Sequence, residues 1–201
     1  MYRRVWNYGK ASYDQTHNFV FNYIWDLPKL GKRSPNPLAH QVLDNWQLAG
    51  FSAFVSGLPT GIGYTLVDGA DITGGGDGGR IHVTGKAQLG PGDRSFTRWF
   101  DPSVFARPAK GDYGNAPKDV FRGPGINNWD ISLFKKFPIR SEARFIQFRW
   151  EMYNAFNHTQ FATVDNTARF DAQGNQVNAR FGQVITTRTP RVMQASLRFT
   201  F

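Results

Sequence analysis

The chain has no cysteine, so disulfides, thiolate metal sites and cysteine nucleophiles are all excluded. It also has no apolar run near the ~18 residues that a membrane-spanning helix requires, which excludes a helical inner-membrane protein. The opening Met1-Tyr2-Arg3-Arg4-Val5-Trp6 lacks the apolar stretch and small-residue cleavage site of a secretory signal. Acidic residues are in the minority, 15 against 24 Lys and Arg, giving a net charge of +9. The bases are scattered, with adjacent pairs only at Arg3-Arg4, Lys32-Arg33 and Lys135-Lys136. That distribution describes solvated faces and not a nucleic-acid footprint, so no nucleic-acid partner is expected.

Metal and cofactor chemistry is equally sparse. His17, His40, His82 and His158 are isolated and show no ligand spacing. The glycine run at 74–79 lies near Asp68, Asp71 and Asp77. It lacks the closing Glu of a calcium loop and the Gly-Lys-Ser/Thr of a phosphate loop, and reads as a flexible loop. No nucleophile, base and orienting group can be assembled from spacing; Glu151 and Arg149 share one strand face and read as a lumen charge network. Neither an enzyme nor a cofactor is expected.

What the chain does have is alternation. Arg191 to Phe201 places Met193, Ala195, Leu197, Phe199 and Phe201 on one face and Val192, Gln194, Ser196, Arg198 and Thr200 on the other. This is a strand with two different surroundings. Thr16 to Trp25 puts His17, Phe19, Phe21, Tyr23 and Trp25 on one face. Asn128 to Phe137 aligns Trp129, Ile131, Leu133 and Phe137, and Ala143 to Phe156 aligns Ile146, Phe148, Trp150 and Met152. Asn45 to Ser56 changes phase: Trp46 and Leu48 share one parity, Phe51, Ala53 and Val55 the other, which predicts a β-bulge at Gly50.

Strands of about ten residues with one greasy face match the walls of a transmembrane β-barrel, where lipid covers that face. The lipid-facing set is then Phe19, Phe21, Tyr23, Ile131, Leu133, Ile146, Phe148, Trp150 and Met152. Trp25, Trp46 and Trp129, near strand ends, are candidates for an aromatic girdle. Residues 57–126 and 157–190 show no sustained pattern and read as long extracellular loops. The connection 138–142 reads as a short periplasmic turn, which also places the C-terminus in the periplasm; the connection 26–44 falls on that side although it is long. Five strands, or six if Tyr2 to Ala11 adds one, fall short of the roughly eight that a barrel needs. The expectation is therefore an all-β, antiparallel barrel segment, the C-terminal piece of a longer protein.

In order along the chain come Asp14-Gln15-Thr16-His17, Asp26-Leu27-Pro28, Asn45-Trp46-Gln47-Leu48-Ala49-Gly50 and Ser56-Gly57-Leu58-Pro59. Then follow Trp99-Phe100-Asp101-Pro102-Ser103-Val104-Phe105, Tyr113-Gly114-Asn115, Arg122-Gly123-Pro124-Gly125 and Asn128-Trp129-Asp130-Ile131-Ser132-Leu133-Phe134-Lys135. The set closes with Phe148 to His158 (FRWEMYNAFNH), Phe181-Gly182-Gln183 and Arg198-Phe199-Thr200-Phe201. Taken together, these resemble the C-terminal end of a TonB-dependent outer-membrane receptor of the Oar-like branch, over nearly the whole chain.

The resemblance implies a 22-stranded barrel around an N-terminal plug, with uptake of a scarce nutrient driven by the TonB complex through that plug, which is absent here along with most of the strands. It also implies that the terminal strand, with Met193, Ala195, Leu197, Phe199 and Phe201, is the signal read by the barrel-assembly machinery. Outer-membrane lipid and an unidentified small ligand are the remaining expected partners. Trp99, Phe100, Phe105 and Tyr113 are candidate ligand contacts in the first long loop, although Trp99 also fits plain core packing. The competing readings are a passive pore or adhesin built from the same wall, and a soluble carbohydrate-binding β-sandwich.

Overall fold

The computed structural model describes residues 7–73, 78–139 and 141–201. The first half of the proposed sixth strand (2–6), the glycine-run residues 74–77 and turn residue 140 lie outside them. The chain divides into two compact units. One comprises 17–55, 126–160 and 189–201; the other comprises the N-terminal residues through 16, with 56–125 and 161–188.

The first unit is a wall. Its strands are β1 (Asn18–Asp26), β2 (Trp46–Val55), β3 (Ile126–Ile139), β4 (Ser141–Tyr153) and β5 (Val192–Thr200). They form one sheet in the order β1-β2-β3-β4-β5, every neighbouring pair antiparallel. Among the described residues, no strand pairs with the outer edge of β1 or β5, and residues 7–11 are not in a strand.

The pairing register joins the greasy faces of all five strands into one surface. Phe21 lies opposite Ser52, and Ser52 opposite Trp129. Leu48 lies opposite Leu133, Leu133 opposite Trp150, and Trp150 opposite Ala195. Phe148 faces Leu197, and Ile146 faces Phe199. Because side chains alternate strictly along a strand, these cross-strand partners share one side of the sheet. Among the described residues, large side chains on it stay exposed: Leu197 is 73% exposed, Phe199 57% and Trp150 39%. The opposite side carries Asn128, Asp130, Gln147, Arg149, Glu151, Gln194 and Arg198. There Gln194 donates to Glu151 at 2.6 Å, and the Arg149 guanidinium sits 4.9 Å from the Phe134 ring centre.

The bulge expected at Gly50 does not exist. Pairing runs unbroken through Tyr23↔Gly50 and Gly50↔Ile131, and Phe54 joins Trp46 and Leu48 on the greasy side. The glycine is required for another reason: a Cβ there would collide with the ring and hydroxyl of Tyr23. The apolar residues Phe51, Ala53 and Val55 simply occupy the mostly polar side. The connection expected at 138–142 is short, and pairing of β3 with β4 reaches into it, through Pro138↔Phe145 and, after a register shift, Ile139↔Ser141.

The connection between β1 and β2 is folded. It holds a 3-10 turn (Leu30–Arg33) and the short helix α1 (Pro37–Leu43), whose N-terminus is capped by the Asn36 side chain accepting from the Leu38 N–H at 2.9 Å. Asp44 ties the segment together, accepting from the Gly31 N–H at 2.7 Å and pairing with the His40 ring at 3.1 Å. Burial alone would raise the Asp44 carboxyl, but these two partners, with the charge of Lys29, outweigh it and hold it below its ordinary value.

The second unit corrects the expectation of patternless loops. Residues from both long loops pack around one core of Ile62, Ile81, Phe100, Phe105, Phe121, Ala168, Phe170 and Phe181. One pair of short strands joins the two loops, and three further pairs each lie within a single loop. Gly63–Leu66 pairs with Thr167–Phe170 in parallel, while Pro59–Thr60 with Phe121–Arg122, His82–Val83 with Phe105–Ala106, and Phe161–Val164 with Val184–Thr187 are antiparallel.

Candidate membrane interface and loop unit

Two aromatic clusters bound the greasy side of the wall. Near the strand ends that lead into the long connections, Trp129 packs edge-on against Phe21, Phe54 and Phe156 at 5.9, 5.5 and 5.6 Å between ring centres. At the other end, Trp25 and Trp46 open the two ends of the β1–β2 connection, and Phe199 stacks on Phe201 at 5.6 Å. Trp129 and Phe137 are eight residues apart on β3, roughly 26 Å at about 3.3 Å per residue. That is close to the ~25 Å apolar band of outer-membrane barrels before strand tilt shortens it.

Of the residues assigned to lipid from the sequence, Phe19, Phe21, Tyr23, Ile131, Leu133, Ile146, Phe148, Trp150 and Met152 all fall on this one side by register. Met193, Ala195, Leu197 and Phe199 continue it across β5, and Phe201 follows just beyond the strand, 92% exposed. Among the residues of this side that periodicity left unremarked, Lys135 stands out by its charge. Lys135 faces the greasy side but is buried, because its Nζ donates to the Asp44 carbonyl. The ammonium also lies 5.4 Å from the Trp46 ring centre and 5.2 Å from that of Phe137. A cation over two ring faces at the edge of an apolar band is the arrangement expected of an interfacial lysine.

In the loop unit the four candidate contact residues separate. Phe100 is fully buried and Phe105 nearly so, each packed edge-to-face against Phe181, and neither can meet a ligand in this arrangement. Trp99 packs against the same core. Its Nε1 donates to the Arg122 carbonyl at 2.9 Å, and Arg94 lies 5.3 Å from its ring centre. Tyr113 alone is exposed, at 41%.

Several of the short motifs singled out in the sequence are the joints of this unit. Arg122 donates to the Gly57 carbonyl at 2.8 Å, to the Asp14 carboxylate at 2.5 Å and to the Thr16 hydroxyl at 2.5 Å. Hydrogen bonding from Arg122 dominates in holding the Asp14 carboxyl below its ordinary value; burial opposes it, and Thr16 and the charges of Arg122 and Lys10 add to it. Gly57 and Gly123 approach so closely that a Cβ on Gly57 would strike the Gly123 carbonyl. Asn115 imitates a strand, accepting from the Val83 N–H at 2.6 Å and donating to the Val83 carbonyl at 2.9 Å. Gly114 and Gly182 take positive φ, 73° and 87°, and the Gly182 carbonyl accepts from the Trp99 N–H at 2.7 Å. Asp101 caps the 3-10 turn Pro102–Val104. No group of three His, Asp or Glu side chains suited to a metal occurs among the described residues.

The family model for an outer membrane beta barrel domain matches residues 1–194. The chain therefore belongs to that family and is a protein of the cell outer membrane. No curated protein and no solved structure matches it.

Proposed function

We propose that this chain forms the C-terminal wall and loop unit of a TonB-dependent outer-membrane receptor of the Oar-like branch, which takes up a scarce nutrient and carries out no covalent chemistry. The observation that carries this reading is that the motifs resembling that branch do mechanical work together. Asp14, Thr16, Gly57, Arg122, Asn115 and Gly182 are joints of a single folded unit. A passive pore needs only a wall. A packed loop unit with a core of its own offers a shaped surface for a ligand, on which Tyr113 is the exposed aromatic contact and the half-buried Trp99 a second. The five strands close a barrel with further strands of the same protein, and energy arrives from the TonB complex through a plug encoded upstream. The terminal strand is the segment recognised by the barrel-assembly machinery.

The test is uptake by cells carrying the complete gene. Collapsing the inner-membrane proton gradient is expected to abolish accumulation while leaving binding at the cell surface intact. Accumulation that continues down a concentration gradient would assign a passive pore. Deleting 60–120 is expected to abolish binding; unchanged binding would remove the loop unit from the ligand site.

A further inference from the structure

We propose that the β1–β2 connection is a foot lying in the headgroup layer of the periplasmic leaflet, where it binds the phosphates of anionic phospholipids. The inference rests on the outer-membrane reading of the wall and deepens it. The connection presents a greasy surface that the wall does not need: Leu38 and Val42, one helical turn apart, are 67% and 60% exposed, and Leu30 and Leu43 are exposed beside them. Around them stand Lys29, Lys32 and Arg33, all exposed. The acidic residues nearby offset this set only in part, since the charge of Asp44 reaches Lys29. Asp44 is buried on Gly31 and His40, and Asp26 belongs to the polar side of the sheet, where it accepts from Gln47 at 2.7 Å.

Two side chains from the lipid-facing surface fix where the foot lies. Trp46 donates from Nε1 to the Val42 carbonyl at 2.8 Å, and Lys135 donates to the Asp44 carbonyl. The C-terminal end of α1 is thus held against the greasy side, continuous with the membrane surface and not with the lumen. This end of the wall also holds the tight β3–β4 connection, which makes it periplasmic, because barrels keep their short turns on that side. The lipid there is phospholipid. A short segment with aliphatic side chains on one surface and basic ones around it, anchored by tryptophan, is suited to lie in the plane of that interface. Each basic residue close to an anionic surface favours the docked state by about fivefold.

The chain has no cysteine, so in the complete barrel, with any other cysteines removed, Leu38→Cys accepts a single environment-sensitive fluorophore. The barrel is reconstituted into phosphatidylcholine vesicles with and without phosphatidylglycerol. The Leu38 label is expected to be quenched by a headgroup spin-labelled lipid and shielded from aqueous iodide. Phosphatidylglycerol should increase the shielding by about fivefold or more, and the triple change K29Q/K32Q/R33Q should erase that increase. Val42→Cys gives the same reading if the first label disturbs folding. A Trp150→Cys label, quenched by acyl-chain spin label, reports the wall. A Leu38 label open to iodide beside a lipid-quenched Trp150 label overturns the foot alone. Both labels open to iodide overturn the lipid-facing wall itself. Docking indifferent to phosphatidylglycerol overturns the phosphate interaction.

Discussion

Tyr23 lies across its cross-strand partner Gly50 and fills the volume that any side chain at that position would claim. The pair is a bulky residue and a vacancy matched across two strands, and it keeps β1 and β2 in register on the greasy side. Gly50→Ala is expected to destabilise the folded barrel by about 1–3 kcal/mol, the usual cost of overpacking. Adding Tyr23→Ala should recover most of that loss. Urea unfolding in detergent, followed by the loss of heat-modifiable migration, measures both. If the double variant is no better than Gly50→Ala alone, the ring is not the cause.

Arg122 joins Asp14, Thr16 and Gly57, so its loss should loosen the loop unit and leave the wall folded. Leaving the Gly57 carbonyl without its donor alone costs about 1–3 kcal/mol, and Arg122→Ala is expected to expose residues 56–125 to protease. The same contact sets a pH dependence. The folded Asp14 carboxyl lies below its ordinary 3.8. Its stabilising contribution is therefore complete above the unfolded value and is lost as pH falls through the folded one. Asp101, chiefly through the Ser103 hydroxyl, and Asp171, chiefly through the Asn175 side chain, are depressed in the same direction. Protease resistance of the loop unit should hold from neutrality down to about pH 4 and decline below it. Asp14→Asn should lower resistance at neutral pH and flatten that decline.

Phe100 and Tyr113 allow packing to be separated from ligand contact. Phe100→Ala removes a fully buried ring in contact with Phe105, Phe121 and Phe181, and should cost about 3–5 kcal/mol. Binding would be lost together with protease resistance. Tyr113→Ala sits on the surface and should change stability by less than about 0.5 kcal/mol. A fall in ligand binding with resistance unchanged would place Tyr113 in the ligand surface; binding equal to that of the parent would remove it.

The wall was legible because its two sides differ in character, one greasy and the other mostly polar. Most alternate residues of β1, β3, β4 and β5 therefore report their side directly, and the register aligned the greasy ones as expected. β2 misled because Phe51, Ala53 and Val55 are apolar on the mostly polar side, so hydrophobicity alone suggested a change of phase. The reason for Gly50 lies on another strand, in Tyr23, where a single-strand pattern has no view of it. The loop unit was illegible for a different physical reason. Its core draws on Ile62, Ile81, Phe100, Phe121, Phe170 and Phe181, residues far apart in sequence, and its strands are two to four residues long. No periodicity can develop over such lengths. The available signal was the density of Asp, Asn and Gly in short fixed motifs, since Asp101, Asn115 and Asp171 replace backbone partners that regular strands would have supplied. Lys135 was hidden by its charge: on the greasy side it is tolerated only because Asp44, Trp46 and Phe137 surround it.

The terminal strand permits recognition by assembly machinery to be separated from contact with lipid. Phe199 and Phe201 stack on one another at the open edge strand, with both rings exposed. If the rings serve only to meet acyl chains, Phe199→Leu with Phe201→Leu preserves the greasy surface and should have little effect anywhere. If they are read by the assembly machinery, the same pair of changes should sharply reduce the folded, heat-modifiable protein in the outer membrane of cells. Refolding of the purified complete barrel into lipid vesicles, where no machinery is present, would then proceed at the rate of the parent. Thr200→Ser, on the polar side between the two rings, is the matched control and should be silent in both settings. Equal impairment in cells and in vesicles would show that the rings stabilise the wall, and would withdraw the signal assigned to β5.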